Sequence, residues 1–330
     1  MHNILITGGA GFIGSHLVGR LLADGFSKVV VVDNFDDFYD PALKRSNLID
    51  YRGHPDFELI EADILDQSLI NQTVASRQID CVVHLAARPG VRPSIEDPLK
   101  YEDTNIRGTY VMLEAARRNS VSRFIFGSSS SVYGINSKVP FSETDPLNTP
   151  ISPYAATKLS GEAACHVYSH LYGIRTVCLR FFTVYGARQR PDLAIHKFTR
   201  LIAAGLPVPL YGDGSSRRDY TYVGDIVDGI VAAMHYNGAA FDVFNLGGSE
   251  TIELATLVEL IETSLGRRAV IDHRPAQPGD VPITFADTSK AQRLLGYKPR
   301  MGIEEGIEEF VKWFVKTDSA TQASFFALSS

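Results

Sequence analysis

The chain of 330 residues predicts an α/β fold: a doubly wound parallel sheet with a smaller, discontinuous α/β lobe. Three observations carry that expectation. Short apolar runs alternate with helix-period patterns through the N-terminal half. A glycine cluster, Gly8-Gly9-Ala10-Gly11-Phe12-Ile13-Gly14, follows the first apolar run and opens the first helix. An aspartate, Asp33, closes the second apolar run.

The elements follow in order. The first strand is read at 3–7, then a helix from Phe12 and a strand at 28–33 around Val29-Val30-Val31-Val32. Strands follow at 57–61, 80–85 and 122–127, with a long helix at 98–118. A helix at 153–172 and a strand at 175–181 complete the alternation. Strands apolar along their whole length suit a parallel sheet covered by helices on both faces. Beyond Arg180 the pattern loosens into loops rich in Arg, Pro and Gly, then resumes as a helix over 221–236 and a strand over 241–246. The expected larger domain is therefore 1–181 with 221–248, and the smaller lobe 182–220 with 249–316. The segment 317–330 lacks periodicity and is expected to be a loose tail.

Composition restricts the function classes. A net charge of −6 without a basic stripe argues against a nucleic-acid partner. No apolar span is long enough for a membrane, and the chain runs straight into a strand without a leader pattern, so a cytoplasmic protein is expected. Cys81, Cys165 and Cys178 lie far apart in sequence and lack metal-ligand spacing, which argues against a disulfide framework or a metal site. The nine histidines are read as structural, none paired with another donor at ligand spacing, and His84 as a packed residue at a strand end.

The glycine loop between a strand and a helix makes a dinucleotide site of the Rossmann type, because backbone amides and the helix N-terminus can hold a pyrophosphate there. Asp33 stands about twenty residues past the last glycine, where a carboxylate accepts from the adenosine ribose hydroxyls and repels a 2′-phosphate. NAD is therefore the expected cofactor. Gly8, Gly11, Phe12, Ile13, Gly14, Asp33 and Asn34 are the residues expected to touch it, whereas Lys44 and Arg45 are read as surface charges. Downstream, Ser152-Pro153-Tyr154-Ala155-Ala156-Thr157-Lys158 sets a phenol and an ammonium four residues apart on one helix face. A cation beside a phenol lowers its pKa toward the working pH, which makes Tyr154 a candidate general base with Lys158 as its partner.

The glycine spacing, with Asp63-Ile64, Leu85-Ala86-Ala87, Asn105 and the set Ser129, Tyr154 and Lys158, resembles the extended short-chain dehydrogenase/reductases from residue 1 to about 316. That resemblance implies that Asp63 and Ile64 line the adenine. It implies that Leu85, Ala86 and Ala87 pass under the pyrophosphate and nicotinamide ribose, and that Asn105 supports the active-site helix. It also makes Ser129 the hydroxyl that bonds the reacting oxygen. Relatives that eliminate water or carbon dioxide carry acidic residues before the Val-Tyr-Gly step; here Ser130 and Ser131 precede Val132-Tyr133-Gly134, which leaves reversible hydride transfer at one carbon.

The segment Arg180-Phe181-Phe182-Thr183-Val184-Tyr185-Gly186, followed by Arg188-Gln189-Arg190-Pro191-Asp192, resembles the nucleotide-sugar 4-epimerases that act on UDP-glucuronate. Thr183 replaces the Asn typical of relatives acting on UDP-glucose. With Ser130 and Ser131 it offers hydroxyls to a C6 carboxylate, and hydrogen bonds to a charged group contribute roughly 1.5–3 kcal/mol each. Arg190 and Arg218 match family arginines that clamp the diphosphate, for which a guanidinium fork is suited. Arg88 and Arg92 are candidates for the same anion, and Asp280 for contact with the nucleotide. Ala187 departs from the Pro usual in the family.

The expected activity is thus C4 epimerisation of UDP-glucuronate to UDP-galacturonate with retained NAD, by a homodimer paired through the helices 98–118 and 153–172. The alternatives are a UDP-glucose 4-epimerase, a net reductase consuming free NADH, and a dinucleotide-sensing regulator without chemistry.

Overall fold

The valine run of the second strand and the Ile-Leu-Ile of the first have no polar side to show to water, and both end up at the centre of the molecule. In the computed structural model, which describes residues 2–26, 28–136, 138–248, 250–275 and 281–326, the chain runs β1 (Asn3–Thr7), α1 (Phe12–Ala23), β2 (Lys28–Asp33), α2 (Pro41–Asn47), β3 (Phe57–Glu61), α3 (Gln67–Ser76), β4 (Cys81–His84), α4 (Val91–Glu96), α5 (Pro98–Tyr101), α6 (Gly108–Arg118), β5 (Arg123–Ser129), α7 (Pro153–Tyr172) and β6 (Arg175–Phe181). It continues through β7 (Thr183–Tyr185), α8 (Ala194–Ala204), β8 (Pro207–Tyr211), β9 (Arg217–Arg218), β10 (Tyr220–Tyr222), α9 (Val223–Met234), β11 (Phe241–Leu246), β12 (Ile252–Glu253), α10 (Leu254–Leu265), β13 (Val270–Arg274), β14 (Ile283–Thr284), α11 (Ser289–Leu295) and α12 (Ile303–Phe326).

Seven parallel strands form one sheet in the order β11-β6-β5-β4-β1-β2-β3. The chain winds outward from β1 through β2 and β3, then returns to β4 on the other side. The order therefore reverses between β1 and β4, and in such sheets the ligand crevice opens at the carboxyl ends of the strands at that switch point. Register aligns those ends: Thr7 faces Val32 and His84, His84 faces Phe126, and Ser129 faces Phe181. Successive strand residues alternate between two cores. Ile4, Ile6, Val29 and Val31 pack under α1 and α9, while Leu5, Val30, Val32 and Val82 pack under α3, α6 and α7. Each such side chain contributes about 1.5–3 kcal/mol on burial. A separate apolar cluster, including Ile195, Phe198, Leu257, Ile261, Ile307 and Phe310, joins α8, α10 and α12.

Three expectations are corrected. The helix expected over 98–118 is divided into α5, a π-helical stretch at Glu102–Arg107 and α6, because the wider winding turns Asn105 inward to a buried position. The helix expected from 221 begins at Val223, since Tyr220–Tyr222 pairs in parallel with Thr183–Tyr185. The last helix continues to Phe326, where an irregular tail from 317 was expected.

Candidate active site

The glycine loop is shaped by contacts that only glycine permits. Gly8 has φ +70°, and a Cβ there would meet the Ala86 nitrogen at 2.8 Å; one on Gly14 would meet the Gly8 carbonyl oxygen at 2.3 Å. The loop is thereby pressed against the strand end that follows β4, and α1 starts directly above it. No side chain caps that helix, so its first-turn amides are left for an anion, and the loop fits the pyrophosphate of a dinucleotide.

At the end of β2, Asp33 is buried and accepts from the Ala10 nitrogen at 3.0 Å and the Phe35 nitrogen at 2.9 Å. Burial pushes its carboxyl up, against the pull of the Phe35 amide and the Lys44 charge. Lys44 corrects the expectation of a surface charge: it is buried, lines the cleft, donates to the Asp36 carbonyl at 2.6 Å and lies over the Tyr39 ring at 4.8 Å. Arg45 does stay outside, paired with Glu61 at 2.7 Å. Asn34 donates to Asp63 at 2.9 Å. The Tyr39 hydroxyl also lines the cleft and is buried without a hydrogen-bond partner. An orphaned hydroxyl, a carboxylate and an ammonium beside a glycine cradle are donors and acceptors suited to an adenosine ribose.

One cleft gathers Gly8, Gly11, Phe12, Ile13, Gly14, Asp33, Asn34, Asp63, Ile64, Leu85, Ala86 and Ala87 with Tyr154, Lys158, Arg88 and Arg190. Asn105 lies behind it. Its side chain donates to the Arg88 carbonyl and to the Thr157 hydroxyl, both at 3.0 Å, and accepts from the Arg88 nitrogen at 2.7 Å. It therefore joins the loop after β4 to α7.

Helix α7 begins where its sequence dictates: Ser152 caps it by accepting from the Ala155 nitrogen at 3.1 Å, and Pro153 occupies the first turn. Tyr154 and Lys158 then share one face. Their electrostatics differ from the sequence expectation. Burial pushes the Tyr154 phenol up, and the groups that pull it back down are the Ser129 hydroxyl and the Arg190 charge, not Lys158. The Lys158 ammonium donates to the Gly127 carbonyl at 2.7 Å and lies over the Phe126 ring at 5.1 Å; burial lowers its pKa to about 8. Ser129 ends β5, donating to the Ser131 hydroxyl at 3.1 Å. Ser130 and Ser131 form the turn that follows, and Ser129 pairs with Phe181 at the end of β6, two residues before Thr183.

The four arginines divide. Arg88 faces the cleft but is paired with Asp36 at 2.6 Å. Arg190 also faces it, gripping Asp192 through two bonds at 2.8 and 2.9 Å and lying over Phe38 at 5.5 Å. Arg92 and Arg218 are not among the cleft-lining residues. Arg92 lies over the Tyr211 ring at 5.4 Å, and Arg218 donates to the carbonyls of Arg217 and Pro282. Asp280 falls outside the described residues.

Comparison with known proteins matches residues 5–310 to the family described as GDP-mannose 4,6 dehydratase. The chain belongs to this family. A UDP-glucuronate 4-epimerase of Thermodesulfobacterium geofontis is 39% identical over 310 residues, covering 94% of this chain and 95% of the relative. The structure of UDP-glucuronic acid 4-epimerase from Bacillus cereus in complex with UDP-glucuronic acid and NAD superposes with a TM-score of 0.90 at 39% identity, covering 96% of this chain and 99% of that one. UDP-glucose 4-epimerase of Thermotoga maritima with UDP-glucose superposes at 0.88 and 35% identity, over the same shares.

Sequence reasoning missed Lys44, Asp36 and Tyr39 as cleft residues. A signal was present: Asp40-Pro41 marks a helix start, and a helix beginning so soon after β2 must lie over the strand end. It also missed a histidine pair. His166 and His170, four apart on α7, stack at 6.4 Å between ring centroids. His84 is buried as expected, bonded to the hydroxyls of Thr7 at 2.7 Å and Thr109 at 3.1 Å.

Proposed function

We propose that the protein is an NAD-dependent 4-epimerase interconverting UDP-glucuronate and UDP-galacturonate. The observation that carries this reading is the β5 end: Ser129 reaches Tyr154, and the turn after it brings Ser130 and Ser131, and no carboxylate to drive an elimination, before Val132-Tyr133-Gly134. The relatives named for UDP-glucuronate support the same reading.

The glycine loop, Asp33 and Lys44 would hold NAD, which would supply an acceptor and then a donor for the hydride of the sugar C4. The chain's own residues do the rest. Tyr154 removes the C4 hydroxyl proton, and Ser129 donates to the oxygen left behind. Lys158 supplies positive charge one turn along α7. Arg190 and Arg218 take the diphosphate, with Arg88 and Arg92 candidates for the same anion and Asp280 for the nucleotide; Arg190 and Arg88 would exchange their internal carboxylates, Asp192 and Asp36, for that anion. The diphosphate is held while neutral hydroxyls allow the 4-keto ring to turn and present its other face. That keto sugar is a β-keto acid, which loses carbon dioxide when its carboxylate aligns with the carbonyl. Thr183, Ser130 and Ser131 hold the carboxylate out of that alignment.

The domain boundaries at 181, 220 and 248 follow the same reading, as does a cytoplasmic homodimer. Leu99, Val167, Leu171 and Tyr172, on α5 and α7, are 44–71% exposed, an apolar face suited to a second copy.

Proton NMR of the purified protein with UDP-glucuronate, and separately with UDP-glucose, without added NAD tests the proposal. Conversion of the acid to its galacto isomer is expected; turnover of UDP-glucose alone would favour the second reading, which the Thermotoga maritima structure supports. For Thr183→Val, release of a 4-keto pentose is expected, and unaltered epimerisation without it would remove the carboxylate role.

A further inference from the structure

Beneath the cleft lies a buried polar chain that the proposed chemistry does not touch. Glu162 is the next residue on the stripe that begins Tyr154, Lys158, each four positions apart on α7. Its carboxylate accepts Arg180 Nε at 2.9 Å and Nη2 at 2.8 Å, and the Ser128 hydroxyl at 2.6 Å. Arg180 Nη1 donates to the Tyr133 hydroxyl at 2.9 Å, which donates in turn to Asn245 Oδ1 at 2.6 Å. Asn245 continues the chain to the Phe141 carbonyl at 2.8 Å. Every one of these side chains is buried.

The energetics of such a pair are informative. Desolvating a carboxylate and a guanidinium costs about as much as their attraction returns, so a buried ion pair is poor evidence of stabilisation, and apolar replacement of both partners is often neutral. Position is what distinguishes this one. Ser128 lies between Gly127, whose carbonyl accepts Lys158, and Ser129, which reaches Tyr154. Tyr133 ends the short turn that carries Ser130 and Ser131. One bidentate pair thus fixes α7, the end of β5 and the serine turn relative to one another.

We infer that Glu162 and Arg180 are positioning residues, which hold the Tyr154 and Lys158 side chains in register with the Ser129–Ser131 hydroxyls. This inference rests on the proposed 4-epimerase reading for its turnover assay alone. Glu162 also acts on the site through charge: it favours the protonated form of Lys158 against the burial that opposes it. Removing the carboxylate leaves the Arg180 cation unbalanced behind Lys158 and Tyr154. Lys158 then loses its proton at lower pH.

The test compares wild type, Glu162→Gln and the double variant Glu162→Leu/Arg180→Met, the last chosen to fold without a buried lone charge. Thermal unfolding, the pH dependence of kcat and KM with UDP-glucuronate, and the titration of the Lys158 Cε by NMR without substrate are measured on each. The double variant is expected to unfold no earlier than wild type, yet to lose about 100-fold in kcat with KM little changed, as misplacement of reacting groups does. In Glu162→Gln the alkaline limb of kcat and the Lys158 titration are expected to move to lower pH by about one unit. A stable double variant with wild-type kcat would overturn the inference, as would an unmoved Lys158 titration in Glu162→Gln. The substrate-free titration decides it even if wild type fails to turn over UDP-glucuronate, which would sink the epimerase reading instead.

Discussion

The Lys158 ammonium is anchored by the Gly127 carbonyl, 2.7 Å away on the neighbouring strand β5. The bond places a full charge in a buried site, and burial lowers the lysine to about 8 from 10.5. Between those values the unfolded chain binds the proton that the folded chain has released, so this group makes stability rise with pH across that window. Lys158→Met removes the dependence. Wild type should gain about 3 kcal/mol relative to the variant between pH 8 and 10.5, measured by urea unfolding at both ends. Turnover of the variant should fall by about 100-fold or more, the scale of losing a charge aimed at the reacting groups.

Two glycines offer a matched comparison. Gly14→Ala puts a methyl 2.3 Å from the Gly8 carbonyl oxygen and 2.7 Å from the Gly9 Cα, so the loop must move away from α1. Gly25→Ala also strains a positive φ, +77°, but meets nothing within 4 Å. The expected outcome is loss of co-purifying NAD from Gly14→Ala, read by chromatography of the acid-released nucleotide. Gly25→Ala should keep its NAD and lose only about 1 kcal/mol, the cost of a left-handed alanine.

The sheet and the glycine loop were legible because both are written locally. Val29 to Val32 can only be buried on both faces, and Gly8, Gly11 and Gly14 follow a strand. Tyr154 and Lys158 were legible for the same reason, since one helix places both. What escaped depends on partners distant in sequence. Lys44 looks like a surface charge until Asp33, Asp36 and Tyr39 close around it. Arg88 and Arg190 read alike as anion clamps, and nothing local shows that Asp36 and Asp192 occupy them. The downward pull on the Tyr154 phenol was assigned to Lys158, its helix neighbour, whereas it comes from the Ser129 hydroxyl at the end of β5 and from Arg190 on a loop beyond β7. Asn105 widens its helix into a π turn to reach Thr157, a contact that no periodicity announces.

Acid should destabilise the fold through His84. Buried between two threonine hydroxyls, it is lowered to about 3 from 6.5. Below 6.5 the unfolded chain therefore binds a proton that the folded chain refuses, and stability falls as pH falls. From pH 6.5 to 5 the loss from this group is about 2 kcal/mol. Asp219 acts oppositely: burial raises it to about 6 from 3.8, so its contribution is lost as pH rises through 6. His84→Gln isolates the first effect. Its unfolding free energy should change less between pH 7 and 5 than that of wild type, and parallel curves would exclude His84 as the acid-sensitive group.

Lys44 sets the charge balance at the adenosine end of the cleft. Asp33 there repels a 2′-phosphate, yet the Lys44 ammonium beside it offsets much of that field, and both line the same cleft. Exclusion of NADP is therefore weaker than Asp33 alone would give. Replacing the aspartate is a poor probe, because Asp33→Asn turns an amide toward the Ala10 or Phe35 nitrogen, both already donors. Lys44→Met is cleaner: it removes the cation and keeps the stem that covers Tyr39. The variant should bind NAD somewhat less tightly and NADP far less, so that the ratio of their Kd values grows by about tenfold, the change expected when one unit charge near a phosphate is lost at partial screening. Calorimetric titration of NAD-free protein with each dinucleotide measures that ratio. An unchanged ratio would mean that Lys44 does not face the ribose 2′ position and that Asp33 discriminates alone.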